Sequence, residues 1–346
     1  MSLAREKEEE IAVLTGESLP KSRAQRAVEA CLRWQVASVL VALVVLLVIF
    51  SIDNHQAFDT VANFRNIALS GVETMLLGVG LTFVLVSGHI DLSVGSVLVF
   101  SSVVSAEFMQ NRADSWGTVL LGLVLAVVAG LLWGILNGIL VARLELSSLI
   151  ITLGTLGAAQ GAAEVLANGS DIATVPAKLN DTIGVGQWLG IPYLLWIVAA
   201  IVVVAGVVLS KTRFGSRTYA IGSNAEASRR AGIPVNRHEV VVFAICGGLA
   251  GVAGFLSLAQ FGTTSIAGNG ADNLQAITAV ILGGVSLFGG VGIMFGTVIG
   301  VTIPAVLTNG FTIQGLSASW QEVAVGVVLI IAIYLDRLRR KRRSSA

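Results

Sequence analysis

The chain has 346 residues, of which 55% are hydrophobic and only 12% charged, and its mean hydropathy is +0.84. Soluble domains carry roughly 25% charged residues, so half that charge over this length leaves too little polar surface to wrap one or two of them. Disorder needs low hydrophobicity and high net charge and is excluded as well. The chain reads as an all-α polytopic membrane protein. Its 39 glycines fit that class, because glycine is more frequent in transmembrane than in soluble helices. The net charge of +1 says nothing about partners, whereas the positions of the charges do.

Residues 1–34 form a polar leader with an acidic cluster at Glu8, Glu9 and Glu10 and basic residues at Lys21, Arg23, Arg26 and Arg33. The first apolar stretch, Val36–Ile52, runs into Asp53-Asn54-His55 and not into a small-residue cleavage site. It is therefore read as a retained membrane span and not as a signal peptide. A bilayer core of about 30 Å needs roughly 20 helical residues. On that basis about ten spans are expected, near 35–52, 66–87, 92–110, 117–141, 147–166, 191–209, 239–259, 273–288, 292–309 and 319–335. The stretch Asn273–Gln321 holds no charge and must turn at Gly289-Gly290 and again around Asn309-Gly310. One of its pieces is a candidate re-entrant segment. The chain divides into the leader (1–34), a membrane body (35–336) with one long loop (210–238), and a basic tail (337–346).

Orientation follows from Lys and Arg. Placing both termini in the cytoplasm puts nineteen of the 22 basic residues inside and leaves only Arg65, Arg112 and Lys178 outside. The basic tail needs no nucleic acid to explain it, since orientation and lipid anchoring suffice. Glycines four apart at Gly130, Gly134 and Gly138 and at Gly292, Gly296 and Gly300, with a near repeat at Gly247, Gly251 and Gly254, read as faces where helix backbones approach closely. The segments Gly88–Gly95 and Gly283–Gly290 sit in similar places and hint at an internal duplication; alternatively, the glycine faces of the fourth and ninth spans match in inverted orientation, which implies a different symmetry. Cys31 and Cys246 have no CxxC neighbour and imply neither a disulfide nor a metal framework.

The loop 210–238 carries a helix signature. Ser223-Asn224-Ala225-Glu226 has capping-box form, with Ser223 accepting from the Glu226 N–H. Ala225, Glu226, Ala227, Ser228, Arg229, Arg230 and Ala231 continue the helix, Gly232 suits its left-handed stop, and Pro234 prevents continuation. Such a helix either rests on lipid headgroups or is a peg for a groove on a cytoplasmic partner. No Lys follows a Gly, so there is no GxxxxGK[ST] phosphate loop, and the three histidines have no HExxH spacing. Both argue against an enzyme, and no metal site is expected.

Ionisable groups at membrane depth are few: Glu73, His89, Asp91, Glu107, Glu164, Asp272 and Glu322. Most lie near predicted span ends; Glu73 lies within the second. Asp91 could equally cap the third span. So sparse a set fits a neutral polar solute and an external energy source better than ion coupling. The pathway candidates are Glu73, His89, Asp91, Asn137, Asn269, Asn273 and Gln275, although each amide could equally be a helix-packing hydrogen bond.

Four segments together carry a resemblance: Gly88-His89-Ile90-Asp91-Leu92-Ser93-Val94-Gly95, Ile150–Gly157, Tyr219–Ala227 with Ala231-Gly232-Ile233, and Ala279–Gly290. With them the chain, from about Asn66 to Arg340, resembles the permease subunits of bacterial monosaccharide ABC importers of the ribose/xylose type. The usual form of the first segment is GGIDLSVG, and His89 stands in place of its second glycine. Glu226–Gly232 is similar to the EAAxxxG coupling loop, with Ser228 in place of its last alanine. The resemblance implies an ABC importer permease fold in the bacterial cytoplasmic membrane. It also implies a second permease subunit, as a homodimer, and a sugar-binding protein that is periplasmic or lipid-anchored. A cytoplasmic ATPase with two nucleotide-binding domains would hold ATP and Mg, so this chain needs no cofactor of its own. Residues 223–232 would be the ATPase-coupling helix.

Overall fold

The computed structural model describes residues 23–144, 146–266 and 272–317, with single positions at 320, 323, 326 and 327. The long helices are α1 (Arg23–Asp53), α4 (Val72–Val86), α5 (Val94–Met109), α6 (Trp116–Leu144), α7 (Ser148–Leu166), α8 (Tyr193–Lys211), α11 (Val235–Phe261), α12 (Asp272–Leu282) and α13 (Met294–Ile313). Short helices α2 (His55–Phe58) and α3 (Val61–Ser70) precede α4, and α9 (Arg213–Ser223) and α10 (Ala225–Arg230) precede α11. A two-residue hairpin, β1 (Gln187–Trp188) and β2 (Ile191–Pro192), leads into α8.

Helices stand at nine of the ten stretches expected to span. The tenth, 319–335, lies almost entirely outside the described residues, as do most of the leader and the whole basic tail. Five helices (α6, α7, α8, α11 and α13) are long and apolar enough to cross a membrane, and α3 with α4, bent by 44° at Gly71, makes a sixth if counted as one span. Two expectations need correction. The stretch 273–288 is not a full span: α12 has 11 residues, about 16 Å at 1.5 Å each, and ends in the Gly283-Gly284 turn. The stretch 92–110 begins two residues later and reaches only 16 residues, because 87–93 is unwound.

Burial sorts the helices into an inner and an outer set. Thirteen of the fifteen residues of α4 are buried, and α5 and α11 are buried along most of their length. α6 and α8 instead turn Leu120, Leu121, Val124, Leu132, Val203 and Val204 outward. Such apolar outward faces are costly in water and natural in lipid, where only the backbone must be satisfied internally. The glycine faces make the inner seams. A Cβ at Gly130 or Gly134 would overlap the backbone of α11 at Gly247 and Phe243, and one at Gly251 would overlap Ala126. A second seam sets Gly296 and Gly300 of α13 against Gly283 and Ala279. Without a hydrophobic drive between helices in lipid, close backbone contact is what dispersion forces can use.

The ends of these helices gather on two faces. Asn236 donates to Ala142 O (3.0 Å), Ile90 N donates to Ser148 Oγ (3.0 Å), and Gly290 N donates to Val86 O (2.8 Å). These contacts collect the ends at Val86, Val94, Leu144, Ser148, Val235 and Met294 around the loop 210–238. Arg65, bonded to Gly190 O, and Lys178, bonded to Asp114 O, lie at the opposite face.

Candidate functional site

The site is built on two helix stops. α4 ends in a pair of backbone bonds, Gly88 N to Leu85 O (2.9 Å) and His89 N to Val84 O (3.0 Å), with Gly88 at φ +88°. α12 ends the same way, with Gly284 N to Ile281 O (2.9 Å), Val285 N to Val280 O (3.2 Å) and Gly284 at φ +94°. This is the Schellman arrangement, which closes the last carbonyls of a helix and asks for glycine at the left-handed residue. The two segments that hinted at duplication therefore share a local structure, offset by one residue from their sequence match.

Beyond its stop, the 87–93 turn is buried and polar. Asp91 is 1% exposed, and its Oδ1 accepts from Ser93 N (2.9 Å) and Ser93 Oγ (2.6 Å). Asn137 on α6, fully buried, donates to Ser93 Oγ (2.8 Å). Asn273 on α12 accepts from Gly95 N, and Thr152 on α7 donates to Ile90 O (3.4 Å). His89 Nε2 lies 3.1 Å from Glu239 Oε1 on α11. Helices α6, α7, α11 and α12 thus converge on one unwound segment. Irregular backbone at membrane depth is tolerated only where protein or a water-filled cavity covers it; here side chains satisfy it. The Oδ1 of Asn137 is buried without a hydrogen-bond partner.

Of the seven pathway candidates, His89, Asp91, Asn137 and Asn273 meet here. Glu73 does not: it sits at the far end of α4, in its first turn, hydrogen-bonded to Ser257. Gln275 lies half-buried on α12, and Asn269 falls outside the described residues. Asp91 is not the cap of α5. Ser93 precedes that helix, and the Asp91 carboxylate bonds inside the turn.

The capped helix of the long loop is present, but its cap is one residue later than expected. α9 runs through Ser223, whose hydroxyl donates to Tyr219 O (2.8 Å). Asn224 is the first residue in extended conformation, and its Oδ1 accepts from Ala227 N (2.8 Å). Glu226 does not reach back; it pairs with Arg230 (3.0 Å) and Arg229 (3.5 Å). The helix stops as expected: Gly232 at φ +80° donates to Arg229 O, and Ile233 N donates to Ser228 O. Except for Ser228, the residues of α10 are exposed.

Sequence reasoning missed α9. Its signal was an amphipathic face of Phe214, Thr218 and Ile221 opposite Arg213, Ser216 and Arg217, with Thr212 as cap accepting from Gly215 N (3.3 Å). α9 joins the exposed helix to the buried turns. A Cβ at Gly222 would overlap Val86 O and come within 2.7 Å of Gly290 N. Gly289, at φ +80°, approaches the backbones of both Gly222 and Gly88. Tyr219 adds a bond from its hydroxyl to Gly292 O (2.6 Å). Burial pushes that hydroxyl up to about 12, so it remains a donor throughout the neutral range.

The buried polar turn lies within a helical bundle that turns apolar faces outward, and comparisons with known proteins give its family. Residues 63–333 match the family described as branched-chain amino acid transport system / permease component. The chain belongs to this permease family. It is 34% identical over 304 residues to the ribose import permease protein RbsC of Escherichia coli (strain K12), covering 87% of this chain and 93% of the relative. The RbsC of Bacillus subtilis (strain 168) is 35% identical over 299 residues, covering 85% and 90%. The L-arabinose transport system permease protein AraH of Escherichia coli (strain K12) is 31% identical over 310 residues, covering 90% and 93%. No solved structure matches the chain. The family description and the relatives' names point to different solutes, so membership fixes the role of a permease and not its cargo.

Proposed function

We propose that this chain is the membrane-spanning subunit of an ATP-binding cassette importer that forms part of the pathway for a small neutral sugar. In this reading an extracytoplasmic binding protein delivers the sugar, a separate cytoplasmic ATPase supplies the energy, and a second copy of the permease completes the pathway. Residues 223–232 form the helix on which the ATPase docks, with the loop 210–238 and both termini in the cytoplasm. ATP and Mg belong to that partner. The observation that carries this reading is the joining of an exposed, doubly capped helix to a buried polar turn through the close backbone junction at Gly222. A connector between two spans needs no such joint, whereas a subunit driven from outside the membrane does.

Support for a sugar comes from the ribose and arabinose permeases that the chain resembles and from the chemistry of the turn. Amide, hydroxyl and carboxyl groups match the hydroxyls of a neutral carbohydrate, and few charges lie at membrane depth. The direct test is co-purification with the ATPase. The unaltered chain retains the ATPase; Glu226→Arg and Gly232→Pro release it while the purified chain keeps its helical circular dichroism. A chain that transports sugar with no ATPase bound would overturn the assignment.

A further inference from the structure

Two neighbouring side chains at the start of α11 hold different parts of the molecule. His238 Nε2 lies 2.8 Å from Thr218 Oγ1 on α9, and its ring packs against Phe214 at 4.4 Å between centroids. Glu239 faces the α4–α5 turn instead, with Oε1 3.1 Å from His89 Nε2. The pair is shielded: the His89 and Glu239 side chains are 20% and 10% exposed, and the His89 ring lies 5.8 Å from Phe243, one turn further along α11. A protonated imidazole makes this an ion pair, and a neutral one still donates Nε2–H to the carboxylate. Charged or titratable groups around it include His238, Arg217, which acts on His238, Asp91 two residues along the turn, and the buried Cys246 of α11 beside Asp91.

The backbone junction already holds Gly88 against Gly222 and Gly289. His89 adds a second anchor on the next residue, to a different helix. Residues 90–95 of the turn are held by Ser148 and Thr152 of α7, Asn137 of α6 and Asn273 of α12, whereas the side chain of His89 ties the turn to α11. We propose that His89 is a positioning residue that, through Glu239, makes the turn carrying Asp91 follow α11, the helix that comes next in the chain after α9 and α10 and whose His238 contacts α9. This rests on the transport reading above. Movement of the docking helix then reaches the polar cluster by two routes, through Gly222 and through α11.

The test is a double-mutant cycle on the full chain in lipid nanodiscs, with His89→Gly, Glu239→Gln and both together. Backbone hydrogen exchange across 87–95 is expected to rise about tenfold in each single variant and no further in the double, because one contact is lost in all three. His89→Gln, whose amide keeps a donor, is expected to hold wild-type exchange, and it decides the matter if His89→Gly fails to fold. In proteoliposomes with the ATPase and binding protein, labelled D-ribose or L-arabinose taken up per ATP hydrolysed is expected to fall roughly five- to tenfold in both singles at unchanged thermal midpoint. Unchanged exchange, additive effects, or raised exchange with a wild-type uptake ratio would each overturn the proposal. If the wild-type assembly neither hydrolyses ATP nor takes up either sugar, the transport reading fails, and the exchange cycle still decides whether the tether exists.

Discussion

At the residue scale, a cap moved by one position because its neighbour was already in a helix. Ser223 and Asn224 both have capping side chains, and the capping-box spacing favoured Ser223. The outcome turned on α9, which keeps Ser223 helical and leaves Asn224 as the first extended residue. This makes a sharp expectation: Asn224→Ala destabilises α10 by about 1 kcal/mol, whereas Ser223→Ala costs only a few tenths. Amide exchange of Ala227, whose N–H the Asn224 side chain holds, reads the difference. A larger effect at Ser223 would restore the capping box. His89 shows the same limit of local reading. Its departure from the resembled motif is visible in the sequence, but Glu239, 150 positions later, becomes its partner only when α11 crosses the turn.

At the element scale, the sequence carries helix positions and glycine faces well, because hydrophobic length and small-residue spacing are local signals. It carries less where a helix stops inside the bundle. α12 and α5 read as spans because the apolar run continues past Gly283 and begins before Val94; the backbone leaves the helix at glycines whose left-handed conformation no hydropathy window registers. The backbone junction these stops create is among the tightest of the described residues, so Gly222→Ala is expected to be severe. With carbonyl and amide atoms on both sides there is no flexible side chain to yield. Loss of about 3 kcal/mol, the upper end of the usual overpacking range and read as a fall in thermal midpoint or failure to accumulate in the membrane, is expected. Gly232→Ala, at a left-handed residue with open space around it, is expected to cost about 1 kcal/mol through strain alone. Equal losses at the two positions would mean that Gly222 is not a close-packed joint.

At the scale of the whole molecule, the charge deficit that marks the chain as a membrane protein also shapes the site. Among the described residues, four of the polar groups the sequence singled out collect on one turn beside the loop 210–238, while Glu73 stands apart at the other end of α4. Their gathering was not legible from spacing, since residues 89, 91, 137 and 273 come from three separate parts of the chain. What was legible was their scarcity, which argues for a neutral cargo and for energy from another chain. The measurement that tests this most directly is uptake of labelled D-ribose and L-arabinose by proteoliposomes holding the chain with its ATPase and binding protein, with ATP present and with or without a protonophore. Uptake is expected to need the ATPase and ATP and to be indifferent to the protonophore. Uptake by this chain alone, collapsing with the protonophore while ATP remains, would contradict it.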